Sequence, residues 1–174
     1  MIGTPRLRLR PPRPADAPAL SALMTPKVSR WLASWPVPFT AEMAAARIAG
    51  SLDAMAAGRS LICAVEHREE FVGWIRGGRI DETSRGEFGY WLGEPWHGRG
   101  FMHEAAPAYL AAIRDRLTLR SIEATCQAAN QRSARVLAAC GLRRVGTRPL
   151  FSSARGREEP VDVWKRAWTR DAPG

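Results

Sequence analysis

The sequence predicts a mixed α/β domain, with a central sheet of about seven strands and four main helices, on three observations. Apolar residues recur at helical spacing in four separate segments. Between the second and third of these lie three short apolar runs joined by polar links, the pattern of an antiparallel meander. The last run ends at a loop with two glycines that open a helix, a junction suited to holding an anion.

Arg6-Leu7-Arg8-Leu9-Arg10 alternates with period two and predicts a half-buried strand, stopped by Pro11-Pro12. A helix follows, capped by Asp16, with Pro18 in its first turn and Leu20, Leu23 and Met24 on one face. Thr40 is a suitable N-cap for a second helix from Ala41 to Ala57, ended by Gly58. The meander comprises Leu61–Val65, Phe71–Ile75 and Phe88–Leu92, with turns at His67–Glu70 and Asp81–Arg85. A third helix is expected from Gly100 to about Leu117, with a kink or a later start because Pro107 lacks an N–H and crowds the carbonyl of His103. The strand Ser121–Cys126, a helix from Asn130 to Cys140 closed by Gly141, and strands near Leu142–Thr147 and Val161–Trp168 complete the reading.

At 174 residues and 45% hydrophobic content, the chain is of a size to form one domain over 1–174 and bury a core. Met1 to Pro5 runs straight into the arginine-rich strand, with no apolar leader and no apolar run long enough to span a bilayer, so a soluble, cytoplasmic protein without membrane contact is expected. Cys63, Cys126 and Cys140 are an odd, widely spaced set that reads as buried free thiols. The three histidines form no ligand array, and no metal is expected. The net charge of +9 is carried almost wholly by arginine, since only Lys27 and Lys165 are lysine. Those arginines are scattered, which favours a solvated basic surface over a dedicated nucleic-acid site.

The loop Trp96-His97-Gly98-Arg99-Gly100 lets backbone come close to an anion and directs the free N–H groups of the following helix at it. A Rossmann fingerprint fails because His103 stands where the third glycine belongs, and a phosphate loop of the Walker type fails because Gly98 is followed by Arg99-Gly100. Glu87-Phe88-Gly89-Tyr90-Trp91-Leu92 precedes the glycine loop, and Asn130-Gln131-Arg132-Ser133 follows it about thirty residues on. In this order the blocks resemble the GCN5-related N-acetyltransferase (GNAT) superfamily, and within it the ribosomal-protein N-terminal acetyltransferases.

The resemblance implies acetyl-CoA as cosubstrate, with pyrophosphate on the N–H groups of roughly His97, Gly98, Arg99, Gly100, Phe101 and Met102 and the pantetheine arm along a strand edge near Trp91-Leu92. Asn130 is similar to the family asparagine that binds this arm, and Ser133 to the serine near the CoA sulfur. Pro95 stands where the family usually has Gln or Arg, and Leu137 where many relatives carry a tyrosine acid. Acetyl transfer requires a deprotonated amine and a donor for the developing oxyanion and departing thiolate. Glu87 matches the family base, its bland alternative being an exposed strand-edge carboxylate, and Glu123 ranks behind it. Ser133 or water would protonate the thiolate. Glu94 and Glu104 would repel phosphate if they faced it, so both should face elsewhere. Tyr90 and Tyr109 read as packing residues, and Trp31, Trp35 and Phe39 as core or as the wall of an amine cleft.

The resulting expectation is direct transfer of acetyl from acetyl-CoA to a primary amine, either a peptide N-terminus or a small amine, with no acyl-enzyme. The rivals are a non-catalytic acyl-CoA-binding module and, more weakly, a ribosome- or RNA-binding protein. The resemblance leaves a homodimer open.

Overall fold

The computed structural model describes residues 1–80 and 84–168. Among the described residues, eight strands form one sheet: β1 (Ile2–Gly3), β2 (Arg8–Arg10), β3 (Ser60–His67), β4 (Glu70–Arg79), β5 (Arg85–Leu92), β6 (Ser121–Cys126), β7 (Arg143–Ser152) and β8 (Arg157–Ala167), in the order β1-β2-β3-β4-β5-β6-β8-β7. The strand beyond the expected seven is the two-residue β1, too short to show a period. The helices are α1 (Ala17–Leu23), the single turn α2 (Pro26–Ser29), α3 (Ala41–Ala56), α4 (Phe101–Leu117) and α5 (Gln131–Ala139).

Thr40 caps α3 as expected, its Oγ1 accepting from Met43 N at 3.3 Å. The Asp16 side chain does not cap α1. It is drawn instead into a buried ion cluster, where Arg10 Nη1 and Nη2 each donate to Asp16 at 2.8 Å and Arg10 Nε donates to Glu66 at 2.5 Å. Helix α4 begins at Phe101 and runs through Pro107, so the proline delays nothing. The terminal strands are longer than expected and pair from Arg143↔Lys165 to Ser152↔Arg157. Their outer residues are mostly exposed and arginine-rich, leaving no apolar alternation to mark the extension. Of the expected turn at 81–85, residues 81–83 lie outside the described residues, as do residues 169–174.

Two apolar layers sandwich the sheet. On one face α4 and α5 bury Tyr109, Leu110, Ile113 and Leu137 against Ile75, Phe88 and Ile122. On the other, α1 and α3 bury Leu20, Ala44 and Ile48 with Trp35, Phe39, Trp74 and Trp91. All neighbouring strands run antiparallel except β5 and β6. A parallel pair needs a crossover, and here α4 supplies it, starting at the end of β5 and returning to the start of β6. The β5–β6 ladder is short: Arg85↔Ser121, Gly86↔Ile122 and Glu87↔Glu123 pair, and the strands then part.

Burial alone would raise the Asp16 carboxyl, but hydrogen bonds from Arg10 and Arg13 outweigh it and hold the group below its ordinary value. Stability from this group is therefore present above the unfolded carboxylate value near pH 3.9 and is lost as pH falls through the lower folded value. Arg10→Met leaves buried Asp16 without a cationic partner and Glu66 with only the exposed Arg8 at 3.7 Å, and should cost about 3–5 kcal/mol in urea denaturation at neutral pH. A loss below about 1 kcal/mol would remove the cluster from the main supports of the fold.

Candidate active site

Backbone direction along β5 follows from its register with β4. Gly93 N donates to Val72 O at 3.0 Å and Ile80 N to Arg85 O at 2.9 Å, at opposite ends of the pair. Glu87, Gly89 and Trp91 therefore turn their N–H and C=O groups to β4, whereas Gly86, Phe88, Tyr90 and Leu92 turn theirs toward β6. Past Glu87 no β6 partner is in register, so the groups of Tyr90 and Leu92 face a gap. The open edge thus belongs to Tyr90 and to the N–H of Leu92, whose carbonyl is taken by the His97 ring. This corrects the expectation for Trp91, whose backbone is directed to β4 and whose side chain is in the core against Trp35 and Phe71.

Alternation also separates the β5 side chains. Glu87, Gly89 and Trp91 share the α1–α3 face, where a cavity of about 230 Å³ opens over the gap. Arg76 Nη2 donates to Glu87 Oε1 at 2.9 Å, and the Glu87 side chain is 49% exposed. Its register partner Glu123 is held between Arg148 (3.3 Å) and Lys165 (3.1 Å) and is only 20% exposed. Glu87 is the more exposed of the two carboxylates. Trp35 and Phe39 are core, as expected, while the half-buried Trp31 lines the cavity.

Beneath the gap, on the α4–α5 face, Asn130 Oδ1 accepts from Ser133 N at 3.2 Å and so caps α5. Ser133 Oγ is 3.0 Å from the Tyr90 hydroxyl, which also reaches Ser133 O at 3.2 Å. Tyr90 was read as packing, and this contact was missed; the signal was strand parity, which sends residues 88, 90 and 92 to the helix face. Burial pushes the Tyr90 phenol well up, with the Ser133 hydrogen bond opposing only in part. Tyr90 therefore remains protonated and orients Ser133. Tyr109 does pack, its hydroxyl donating to Leu61 O at 2.5 Å.

The glycine loop lies at the end of β5. Gly98 (φ 76°) and Gly100 (φ 75°) both adopt the left-handed region, and a Cβ on Gly98 would meet nothing within 4 Å, so the loop presents open backbone. His97 braces the loop: its N–H donates to Glu94 O at 3.1 Å and its ring Nε2 to Leu92 O at 2.8 Å. The donors left at the helix start are those of Gly98 to His103, a shift from the expected His97 to Met102. Phe101 and Met102 bury their side chains and offer only N–H groups. The exposed Arg99 stacks over Trp96 at 4.8 Å. Both flanking glutamates are engaged elsewhere. Glu104 accepts from Thr4 Oγ1 and Arg6 Nε at 2.6 Å, and Glu94 accepts from Thr25 and pairs with Lys27 at 3.2 Å.

A parted parallel strand pair, with a glycine-opened helix crossing between its members, is a complete architectural signature. The family model for the GNAT acetyltransferase domain matches residues 6–143. The chain belongs to the GNAT acetyltransferases. Members are acyl-CoA-dependent acetyltransferases, and this chain is one. Among solved structures, Mycobacterium smegmatis RimJ in complex with a CoA disulfide superposes with a TM-score of 0.85 at 25% identity, covering 95% of this chain and 86% of that one. RimL, a ribosomal L7/L12 α-N-protein acetyltransferase in complex with CoA, gives 0.80 at 22% identity over 94% and 95%. The microcin C7 self-immunity acetyltransferase MccE, in complex with acetyl-CoA and AMP, gives 0.81 at 18% over 94% and 93%. Among curated proteins none matches.

In GNAT terms the fork gathers Glu87 above and Ser133 and Asn130 below, with the glycine loop at its mouth. Arg76, Arg148 and Arg155 also line the cavity, and no local motif marks them. All three cysteines are free and buried. Burial raises Cys126, the one nearest Ser133, and pushes Cys63 to about 12 and Cys140 to about 11. None offers a thiolate at neutral pH. Iodoacetamide should therefore alkylate the native protein far more slowly than the urea-unfolded chain; rapid native labelling of Cys126 would contradict this placement.

Proposed function

We propose that the protein transfers acetyl from acetyl-CoA directly to a primary amine, with a peptide N-terminus as the favoured acceptor. The parting of β5 from β6 carries this reading, because it puts free strand edge, glycine loop and one available carboxylate at a single opening. The opening suits the cosubstrate: the loop backbone is unobstructed at Gly98, and the Tyr90 groups point into the gap. The N–H groups of Gly98 to His103 would hold pyrophosphate, and the edge at Tyr90 and Leu92 would take the pantetheine amides as a further strand. Acetyl-CoA supplies an acyl group activated as a thioester.

The residues of the chain then divide the remaining work. Glu87, steadied by Arg76, removes the amine proton directly or through one water. Ser133, oriented by Tyr90 and Asn130, donates toward the departing sulfur, and a thiol with a pKa near 8.5 needs little help to leave. A net charge of +9 repels polycationic amines and favours an N-terminus presented on an acidic or RNA-rich particle. The likeness to RimJ and RimL supports the same acceptor, and a cytoplasmic enzyme would meet it there. A small amine is the second reading, favoured by the modest cavity. CoA release from a panel of peptides and small amines decides between them, and efficient turnover of a small amine with none of the peptides would refute the first.

Glu87→Gln should lower turnover by about 10²-fold at neutral pH while acetyl-CoA affinity holds, and the deficit should shrink at high pH, where more amine is already free. A small, pH-independent loss would move the role to Glu123 or to solvent. Gly100→Val places a β-branched residue at φ 75° and should weaken acetyl-CoA binding at least about tenfold in calorimetry, with the fold retained. Unchanged affinity would locate the phosphates elsewhere.

A further inference from the structure

The glycine loop is gripped by a hairpin from the far end of the chain. Residues 4–7 join β1 to β2 and are closed by Thr4 N, which donates to Leu7 O at 2.9 Å. Three donors of this connection converge on one carboxylate. Thr4 Oγ1 and Arg6 N reach Glu104 Oε1 at 2.6 and 2.8 Å, and Arg6 Nε reaches Oε2 at 2.6 Å. Glu104 lies in the first turn of α4, and its side chain is only 14% exposed. Burial alone would raise its carboxyl, but the hydrogen bonds from Thr4 and Arg6 hold it below its ordinary value, so it stays ionised. His67, on β3, adds a further tie by donating from Nδ1 to Arg6 O at 3.0 Å.

Anchored in this way, the Arg6 guanidinium lies against the loop itself. Its carbon is 4.9 Å from the centre of the Phe101 ring, Nη1 donates to Arg99 O at 3.0 Å, and Nη2 is 3.6 Å from the place where a Cβ on Gly100 would stand. The Arg99 carbonyl and the Gly100 N–H belong to one planar trans peptide and point in opposite directions. Holding the oxygen toward Arg6 therefore turns the Gly100 N–H to the other side, where it is among the donors that the start of α4 leaves free. Gly100 has φ 75° and no Cβ, so its own sterics do little to stop this peptide from rotating. Arg6 supplies the constraint that the glycine lacks.

We propose that Arg6, seated on Glu104, is a positioning residue for the cosubstrate: it holds the peptide between Arg99 and Gly100 in the orientation that offers the Gly100 N–H to the pyrophosphate of acetyl-CoA. The proposal rests on the reading of the glycine loop as the pyrophosphate site. A guanidinium suits the task because its rigid fork serves a carboxylate and a carbonyl at once, whereas an ammonium on a flexible stem fixes neither direction. The same pairing cancels the charge of Glu104, which would otherwise oppose an anion at the loop.

The experiment measures CoA binding by calorimetry and pantetheine binding by NMR titration for wild type, Arg6→Ala, Arg6→Lys and Glu104→Gln. Pantetheine has no pyrophosphate, so a change that spoils only the loop leaves its affinity alone. Arg6→Ala should weaken CoA about tenfold and pantetheine by less than about twofold, with Arg6→Lys between wild type and Arg6→Ala. Glu104→Gln tests the sign. If charge alone counts, removing a carboxylate near the loop should tighten CoA; if the seat of Arg6 counts, CoA should weaken about threefold or more. Tighter CoA binding by Glu104→Gln, or equal losses of CoA and pantetheine in Arg6→Ala, overturns the proposal. If Arg6→Ala does not fold, Glu104→Gln decides, because it keeps Arg6 and the size of the side chain. Wild type that prefers CoA, with affinities unchanged in the variants, refutes the proposal and leaves the pyrophosphate reading standing. Wild type that binds pantetheine as tightly as CoA removes both.

Discussion

Everything at the functional end of this molecule depends on two strands that pair over three residues and then separate. Because β5 and β6 are parallel, the chain must cross the sheet between them, and the crossing helix α4 necessarily starts where β5 ends. The helix N-terminus, the glycine loop and the unpaired strand edge are thus brought to one place by connectivity. Ligands of sheets with parallel strands collect at such carboxyl ends for the same reason.

The gap also solves a problem of access. Glu87 and Ser133 lie on opposite faces of the sheet, and a continuous β5–β6 ladder would wall one from the other. Only a substrate threaded between the strands meets both. In the proposed reaction, proton removal from the amine and proton delivery to sulfur would take place on different sides of the reacting carbonyl, with the carboxylate away from the departing thiolate. The parity of β5 enforces this separation, since residues 87 and 90 cannot share a face.

Charge around the opening is organised by pairing more than by exclusion. Two glutamates flank the glycine loop, yet Glu104 is occupied by Thr4 and Arg6, and Glu94 by Thr25 and Lys27. Anchoring the loop and removing its negative charge are therefore one act. The N-terminal segment, a few residues before the first longer strand, takes part because Arg6 also donates to Arg99 O at 3.0 Å.

The sequence by itself determined the elements whose signals are local. The Thr40 and Asn130 caps, the helical spacing of α3 to α5, the strand alternation and the two glycines report on neighbours within a few residues, and the resemblance carried by residues 87–92, 96–100 and 130–133 rests on such patterns. The tertiary structure decided what depends on distant partners. Asp16 has the chemistry of a cap, but a buried Arg10 offers two charge-assisted hydrogen bonds and wins it. Trp91 gave up the strand edge to Tyr90 because register with β4, set along the whole pair, fixes which way each peptide faces. Arg76 and Arg155 look like any of the scattered arginines until packing brings Glu87 and the carbonyls of residues 29 and 32 within reach. A surface arginine leaves no periodic trace in the chain, and only the fold supplies the acceptors that give it a role.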